Sequence, residues 1–417
     1  MTAKSSSTNP LSGLPISAII NIALAAVFLL CGYEFIRSAS TSLYIDVYGS
    51  DRLPYAMVAG TVFTAILLYG YGWVLTLTGP RRTLVFTSLF SSFVMICCYV
   101  AIRRGIGIAA GITYAFREAY IVVIIEQYWS FINSTLKERH AKKVNGPITG
   151  VGSLGAIAGG LLVGRLAKSL GTESLLLFSA ASLLPAALCS ELAYNYGGEP
   201  APSEKERGKK SLALSLFVES SYLRRLGLLI ILTQIISTVL DLRFFGLIEH
   251  AMPIKDTRTA YIGNFYAMLN TSAFVLQFVA APILLSYISL RFIHPAIPMV
   301  HIAAAALLIL RPSLFTGGLA YLLFKALDYS VFRAGKEIFY IPLSFDSRYR
   351  AKEVIDSFGY RASKGGAAGL TSLARMIFGA IPGSAYPVAA LASAIGWLAT
   401  VRKLVRQYRD QSTVSSR

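Results

Sequence analysis

The chain has 417 residues, 55% of them hydrophobic and only 14% charged, with a formal net charge of +18 and a mean hydropathy of +0.59. No soluble domain of this length tolerates that balance, and a basic nucleic-acid binder is excluded because no basic domain stands clear of the apolar runs. The expected class is an all-α multi-pass membrane protein, since a bilayer-spanning helix needs about 20 mostly apolar residues and such runs follow one another almost end to end. The four cysteines, Cys31, Cys97, Cys98 and Cys189, all lie inside apolar runs without zinc-site or disulfide spacing, and read as small core residues.

In chain order, the polar start MTAKSSSTNPLSG reads as a cytosolic tail before a retained first helix, not as a cleaved signal peptide. The first six spans are expected at 16–37, 54–77, 84–102, 106–136, 144–166 and 175–194. GPRR (Gly79 to Arg82) is a tight basic turn between the second and third. The fourth span is long and carries Arg117, Glu118 and Glu126. KERHAKK (Lys137 to Lys143) is the next basic connector, and two glycine-rich spans follow it.

At Gly197 the composition changes to GGEPAPSEKERGKK, polar and Pro-containing, which is the character of a linker. The predicted organisation is a six-helix bundle over 1–196, a cytosolic linker over 197–212, a second six-helix bundle over 213–403 and a basic cytosolic tail over 404–417. The second six spans are expected at 226–248, 261–288, 292–310, 314–332, 354–381 and 386–401. GPRR, KERHAKK, the linker, Arg291, the Lys336–Lys352 segment and the tail hold most of the connector Lys and Arg. By the positive-inside rule both termini are therefore cytoplasmic, and the expected location is a cell inner membrane. Arg103 and Arg104, on an outside turn, are the exception.

Ionisable residues at membrane depth cost roughly 2.5–3.5 kcal/mol each on insertion scales, so they usually face a cavity or a partner. Glu34 and Arg37, at i and i+3, form either a structural pair or a site pair. Arg117 and Glu118 are adjacent and point about 100° apart; Arg117 suits a phosphate or carboxylate, with an interhelix gate as the rival reading. Asp241 interrupts the apolar run IISTVLDLRFFG and reads as functional. The most polar stretch of the second half, DYSVFRAGKEIFYIPLSFDSRYRAKEVIDSFGYRASKGGAAGL, begins with Asp328 at the end of a helix that also carries Lys325. It continues as a loop from Lys336 with an aromatic knot at Phe339 and Tyr340. It then brings Asp356, Arg361 and Lys364 back towards the bilayer, ahead of Gly365 and Gly366, which let a helix or ligand approach the backbone.

Lys364 needs an acid or an anion, because Asp356 lies about 12 Å away along the axis. The expectation is the solute, with Asp241 and Glu118 as the alternatives and Arg37 or Arg117 reaching the same anion from the first half. Tyr33, Trp129 and Tyr360 are candidates to stack on a base, which spacing by itself does not read out. The candidate binding set is thus Arg37, Arg117, Glu118, Asp241, Arg361 and Lys364; the candidate gating or coupling set is Glu34, Asp241, Asp328 and Asp356. No metal, cofactor or nucleic acid is expected. The chain has no H-E-x-x-H, G-x-S-x-G or Walker motif, and its four histidines do not cluster, so no enzyme activity is expected and transport would run on a gradient or exchange.

The paired six-span pattern resembles the major facilitator superfamily, which holds its solute between two halves near the midplane. TLTGPRRT keeps Gly79, Arg81 and Arg82 of that superfamily's loop signature but not its acid. More specifically, Lys336, Glu337, Tyr340, Ile341, Pro342 and Leu343, followed by Lys352, Ile355, Asp356, Lys364, Gly365 and Gly366, resemble the K-E-x-x-Y-I-P-L loop and next helix of the ATP/ADP translocase family. WSFIN (Trp129 to Asn133) and TVLDLRFF extend the likeness. The resemblance implies nucleotide exchange, with Glu118, Asp241 and Lys364 in the family's charged positions. It also shows a departure: Ser40 stands where the family has a lysine after the first span.

Three functions are consistent with these residues. The preferred one is a monomeric secondary transporter of an anionic solute, a nucleotide or related phosphorylated metabolite, by exchange or symport through alternating access. The others are a proton-coupled facilitator for a siderophore, amino acid or peptide, and a non-transporting membrane scaffold.

Overall fold

The computed structural model describes residues 16–135, 138–198, 217, 220–343, 352, 354–355 and 359–415. Among the described residues every regular element is helical: α1 (Ile16–Tyr48), α2 (Leu53–Arg103), α3 (Ile108–Thr135), α4 (Glu138–Leu170) and α5 (Leu175–Gly197) come first. Then follow α6 (Ser221–Ala251), α7 (Lys255–Val275), α8 (Ala281–Tyr287), α9 (Leu290–Leu310) and α10 (Leu314–Leu327). The last are α11 (Arg333–Ile338), α12 (Tyr360–Phe378) and α13 (Ala385–Ser415). Single π turns at Leu276–Ala280 and Asp328–Phe332 carry α7 into α8 and α10 into α11, so each pair is one rod.

The second and third expected spans form one element, α2, reversed at Gly79. That residue has φ 77° and ψ 166°, a conformation that side chains with a Cβ avoid, and Pro80 then starts the returning arm with its missing N–H at a position that needs none. Tyr44 Oη donates to the Arg52 carbonyl, while Val47 lies against Gly107 and Tyr48 against Gly111. Both ends of α2 therefore lie at one end of the bundle, here called the α1–α2 end. Nine helices among the described residues are long and apolar enough to cross a membrane. A count of twelve needs α2 divided at Gly79 and the α10–α11 rod and α12 added. Those two carry Lys325, Asp328, Arg333, Arg361, Lys364 and Arg375, charges that count against them as apolar spans.

Helix α1 packs on α4 and α5, and α2 on α3 and α5; α6 packs on α10, α12 and α13, and α9 on α10 and α13. The two sets meet where α4 and α1 touch α7 and where α2 touches α12. The α4–α7 seam is a backbone contact. A Cβ on Gly160 would sit 2.8 Å from the Gly263 carbonyl oxygen and from the Ala267 nitrogen, the small-residue packing that joins helices where lipid removes the hydrophobic drive. Buried apolar residues form three clusters: one mostly from α6 to α13, one among α1, α2, α3 and α5, and one at the α1 N-terminal end. Val62, Ile66, Tyr69, Trp73 and Leu77 are exposed along one stripe of α2, as a lipid-facing helix requires.

Two segments differ from the sequence reading. The loop expected from Lys336 is helical to Ile338 and then turns through Leu343, because its aromatics are core: Phe339 is fully buried, stacks on His294 with centroids 4.3 Å apart and accepts a 2.7 Å hydrogen bond from Tyr222 Oη at its carbonyl. The basic tail expected from 404 continues α13 to Ser415; Leu404 is buried and Tyr408 meets Phe339 edge-on. The linker over 197–212 lies outside the described residues apart from Gly197 and Gly198.

Candidate functional site

Arg37, Arg117, Glu118, Asp241 and Lys364 stand on α1, α3, α3, α6 and α12 at a common depth. Each is roughly two and a half to four turns from the α1–α2 end, about 14–21 Å at 1.5 Å per residue. Chain spacing fixes that coincidence, and packing turns it into a belt of charge.

Arg117 is 5% exposed. Its guanidinium donates to Thr41 Oγ1 at 2.7 Å, to the Arg37 carbonyl at 3.2 Å and to Glu118 at 2.5 Å, and its carbon lies 4.2 Å from the Tyr114 ring centroid. The adjacent pair thus closes on itself, since two long side chains about 100° apart still reach one another. Glu118 passes over Gly60, and its second oxygen accepts from Lys364 Nζ at 3.0 Å. Lys364, expected to await a solute, is held in this conformation by the acid that the sequence offered as an alternative. Both side chains keep about a quarter of their surface accessible, 26% and 24%, so the pair lines an opening. Gly365 brings α12 against Thr61 of α2, which is what places Lys364 within reach of α3.

Arg37 Nη1 is 3.3 Å from Glu34 Oε1, and its guanidinium lies 3.6 Å over the Tyr266 ring, a cation–π contact. Glu34 Oε1 also accepts from Asn270 of α7 at 3.0 Å, while its Oε2 is buried without a partner. Asp241 is 7% exposed and has no hydrogen bond or ion pair among the described residues; it lies within electrostatic reach of Lys364, Tyr114, Tyr266 and Tyr321.

The remaining expected residues lie closer to the other end. Tyr360 Oη is 3.4 Å from Asp328 Oδ2, beside a cavity of about 270 Å³ lined also by Arg333, Lys336 and Glu337. Arg361 is 3.8 Å from Glu126, and that pair is largely open. Asp356 lies outside the described residues. Sequence reasoning named Lys325 but left it out of the site. It is 6% exposed, donates to Ser237 Oγ at 2.7 Å and has Tyr321, Phe324 and Tyr329 around its ammonium at 5.5–5.9 Å. Its signal was available, a lone charge in LFTGGLAYLLFKAL, as was the one that picked out Asp241. Tyr266 and Asn270 carried no such signal.

The α1–α2 end is tied shut across the two sets of helices. Ser50 N donates to Glu249 at 3.0 Å, and Arg375 pairs with Asp51 at 2.8 Å. Arg258 donates to Ser42 and Asp46, and Thr172 N to Asp256 at 2.8 Å. At the opposite end, Arg361–Glu126 is the one ion pair between the sets among the described residues.

A family model described as the TLC ATP/ADP transporter matches residues 191–408. The chain belongs to that family. Among curated relatives, ADP,ATP carrier protein 3 of Rickettsia bellii (strain RML369-C) is 21% identical, covering 87% of this chain and 88% of its own length. The chloroplastic ADP,ATP carrier proteins 2 and 1 of Arabidopsis thaliana are each 22% identical, over 50% and 69% of this chain; the match spans only 38% and 52% of those relatives. Among solved structures, a bacterial homologue of the iron transporter ferroportin in its inward-facing state superposes with a TM-score of 0.68 at 12% identity, covering 94% of this chain and 99% of that one. A D-xylose-proton symporter gives 0.65 at 10% identity, over 92% and 97%. These likenesses show the major facilitator fold, and membership of the TLC family places the chain among transporters rather than enzymes.

Proposed function

We propose that this protein moves a nucleotide or a related phosphorylated metabolite across the membrane, by exchange or symport, through alternating access to the charge belt. The observation that carries the reading is the Lys364–Glu118 pair, which joins α12 to α3 where the accessible surface of both side chains lines an opening. Glu118 there stands where a phosphate would: two cations, Lys364 and Arg117, converge on its oxygens. An incoming anion competes for both, and charge-assisted hydrogen bonds to a phosphate are as strong as those it displaces. Arg37 and Lys325 add positive charge at the same depth, and Tyr33, partly exposed beside Arg37, supplies a ring face on which a base stacks, worth about 1–3 kcal/mol per base.

Ser40, which stands where the family has a lysine, is fully buried with its hydroxyl 3.4 Å from the Arg37 carbonyl. A cation is therefore missing from the α1 wall, which favours a solute with fewer phosphates than ATP. In this reading 1–196 and 213–403 are the two rocking halves, both termini face the cytoplasm of a cell inner membrane, and the shut α1–α2 end faces outward.

Proteoliposomes loaded with unlabelled ATP, ADP, AMP, sugar phosphate or inorganic phosphate, and offered the labelled compounds outside, test the proposal. Uptake stimulated by internal counter-substrate, or uptake of a phosphorylated solute down an imposed gradient, is the expected result. Asp241, buried with no hydrogen bond or ion pair among the described residues, favours one rival: a proton-coupled porter of an unrelated solute. Accumulation of a non-phosphorylated solute driven only by a pH gradient would establish that rival instead.

A further inference from the structure

Away from the belt, the cleft between the start of α9 and the end of α13 holds two adjoining cavities of about 520 and 420 Å³ that share Arg291, Val405 and Arg406. The first is lined further by Arg409 and Asp410, the second by Arg402 and an apolar floor of Phe292, Pro295, Ala296 and Met299. We propose that this cleft is a binding site for one anionic phospholipid, its phosphate held by Arg291, Arg402 and Arg406 and an acyl chain lying along Phe292, Ala296 and Met299.

Position argues for a lipid first. Helix α13 starts near the α1–α2 end, so Arg402 and Arg406 stand about 26–32 Å along it at 1.5 Å per residue. That matches the roughly 30 Å depth of a hydrocarbon core and puts the guanidinium groups at headgroup level. The apolar floor runs from there towards the bilayer centre, one to two turns deeper on α9. Phe292 is 59% and Met299 55% exposed, which fits acyl chains and would suit no water-borne ligand.

Charge argues next. Arg291, Arg402 and Arg406 form no ion pair among the described residues, and the Arg291 guanidinium carbon lies 4.7 Å from the Phe292 ring centroid. Four arginines, Arg409 included, face a single acid, Asp410, around this cleft; the excess charge is left for the membrane to neutralise, and a planar guanidinium matches phosphate in a two-point contact. Basic pockets between helices at the headgroup level are where anionic lipids bind with specificity.

The experiment uses the full chain purified in detergent with mixed phosphatidylglycerol and phosphatidylcholine. Native mass spectrometry counts retained lipid, and thermal unfolding is followed with each lipid added back. The wild-type protein is expected to retain phosphatidylglycerol over phosphatidylcholine, and the triple variant Arg291→Gln/Arg402→Gln/Arg406→Gln to lose that retention at least tenfold. Arg103→Gln/Arg104→Gln, at the opposite end, should retain it. Should the triple variant fail to fold, Ala296→Trp tests the same idea from the apolar side: it fills the floor, keeps every arginine and should also release the lipid. Equal retention of both lipids by the wild type, or undiminished phosphatidylglycerol on either cleft variant, overturns the proposal. So does protection by glycerol phosphate or inorganic phosphate at the concentration at which the lipid acts, since that would make the site one for free phosphate.

Discussion

Lys364 and Glu118 stand 246 positions apart in the chain, so neither could name the other from sequence. What the sequence does carry is the cost of each charge at its depth, and that cost alone selected both. Removing the ammonium takes away the proposed anchor of the solute and leaves Glu118 with Arg117 alone. Lys364→Gln should raise the KM for a phosphorylated solute about tenfold or more, about 1.4 kcal/mol or more of binding, and Lys364→Arg should restore only part of it. The Glu118→Gln/Lys364→Gln double variant should then be less impaired than the two single effects added together, because the residues are in contact. Strict additivity in uptake kinetics would show that the pair does not act as one. Asp241, legible as a lone acid and found with no hydrogen bond or ion pair among the described residues, makes a separate case. Asp241→Asn should leave insertion and monodispersity intact and abolish transport; full activity across pH would reduce the acid to a structural role.

The elements divide into those whose ends a local signal sets and those whose ends packing sets. Gly79 and Pro80 announced the reversal in α2, and the short connectors at 103–108 and 170–175 were legible from charge and turn residues. The end of α11 was not. A polar, Pro-containing run reads as a loop, but His294 and Tyr222 hold Phe339 from other helices, and the helix with its closing turn packs as core. Helix α13 outran its hydrophobic run for a similar reason, with Leu404 buried and Tyr408 partly buried against distant partners. Pro342, with its fixed φ, sits in the turn that follows α11, and the expectation is that it holds the end of α11 relative to α12. Pro342→Ala should therefore lower the maximal uptake rate more than it changes KM. A changed KM at constant rate would assign the turn to binding.

For the whole molecule, the alternation of apolar runs with basic connectors gave the fold class and the order of crossings, because bilayer thickness and charge asymmetry act on the chain before tertiary contacts do. It did not give the way one set of helices leans on the other, which depends on glycines and hydroxyls with no signature of their own. The proposed orientation is open to direct measurement. A cysteine placed in the linker, for example Ser203→Cys in a background lacking the four native cysteines, should react with an impermeant maleimide only after the cytoplasmic face is exposed. Labelling of intact cells would invert the topology.

The backbone seam at Gly160 lies at about the same depth as the charge belt, and it bears on electrical tightness. Helices in contact at their carbonyls and amides have no water layer to widen between them, so they tilt about that line and do not draw apart. Under the proposed alternating access, an opening at one face then requires closure at the other, and no continuous wire of water would cross the protein. The carrier should accordingly sustain a membrane potential while it turns over. Gly160→Leu would wedge the seam, since even a Cβ there meets the Gly263 carbonyl oxygen at 2.8 Å. In proteoliposomes holding a potassium diffusion potential, that variant is expected to dissipate the voltage while the wild type holds it. A wild-type-like decay would place the seal elsewhere.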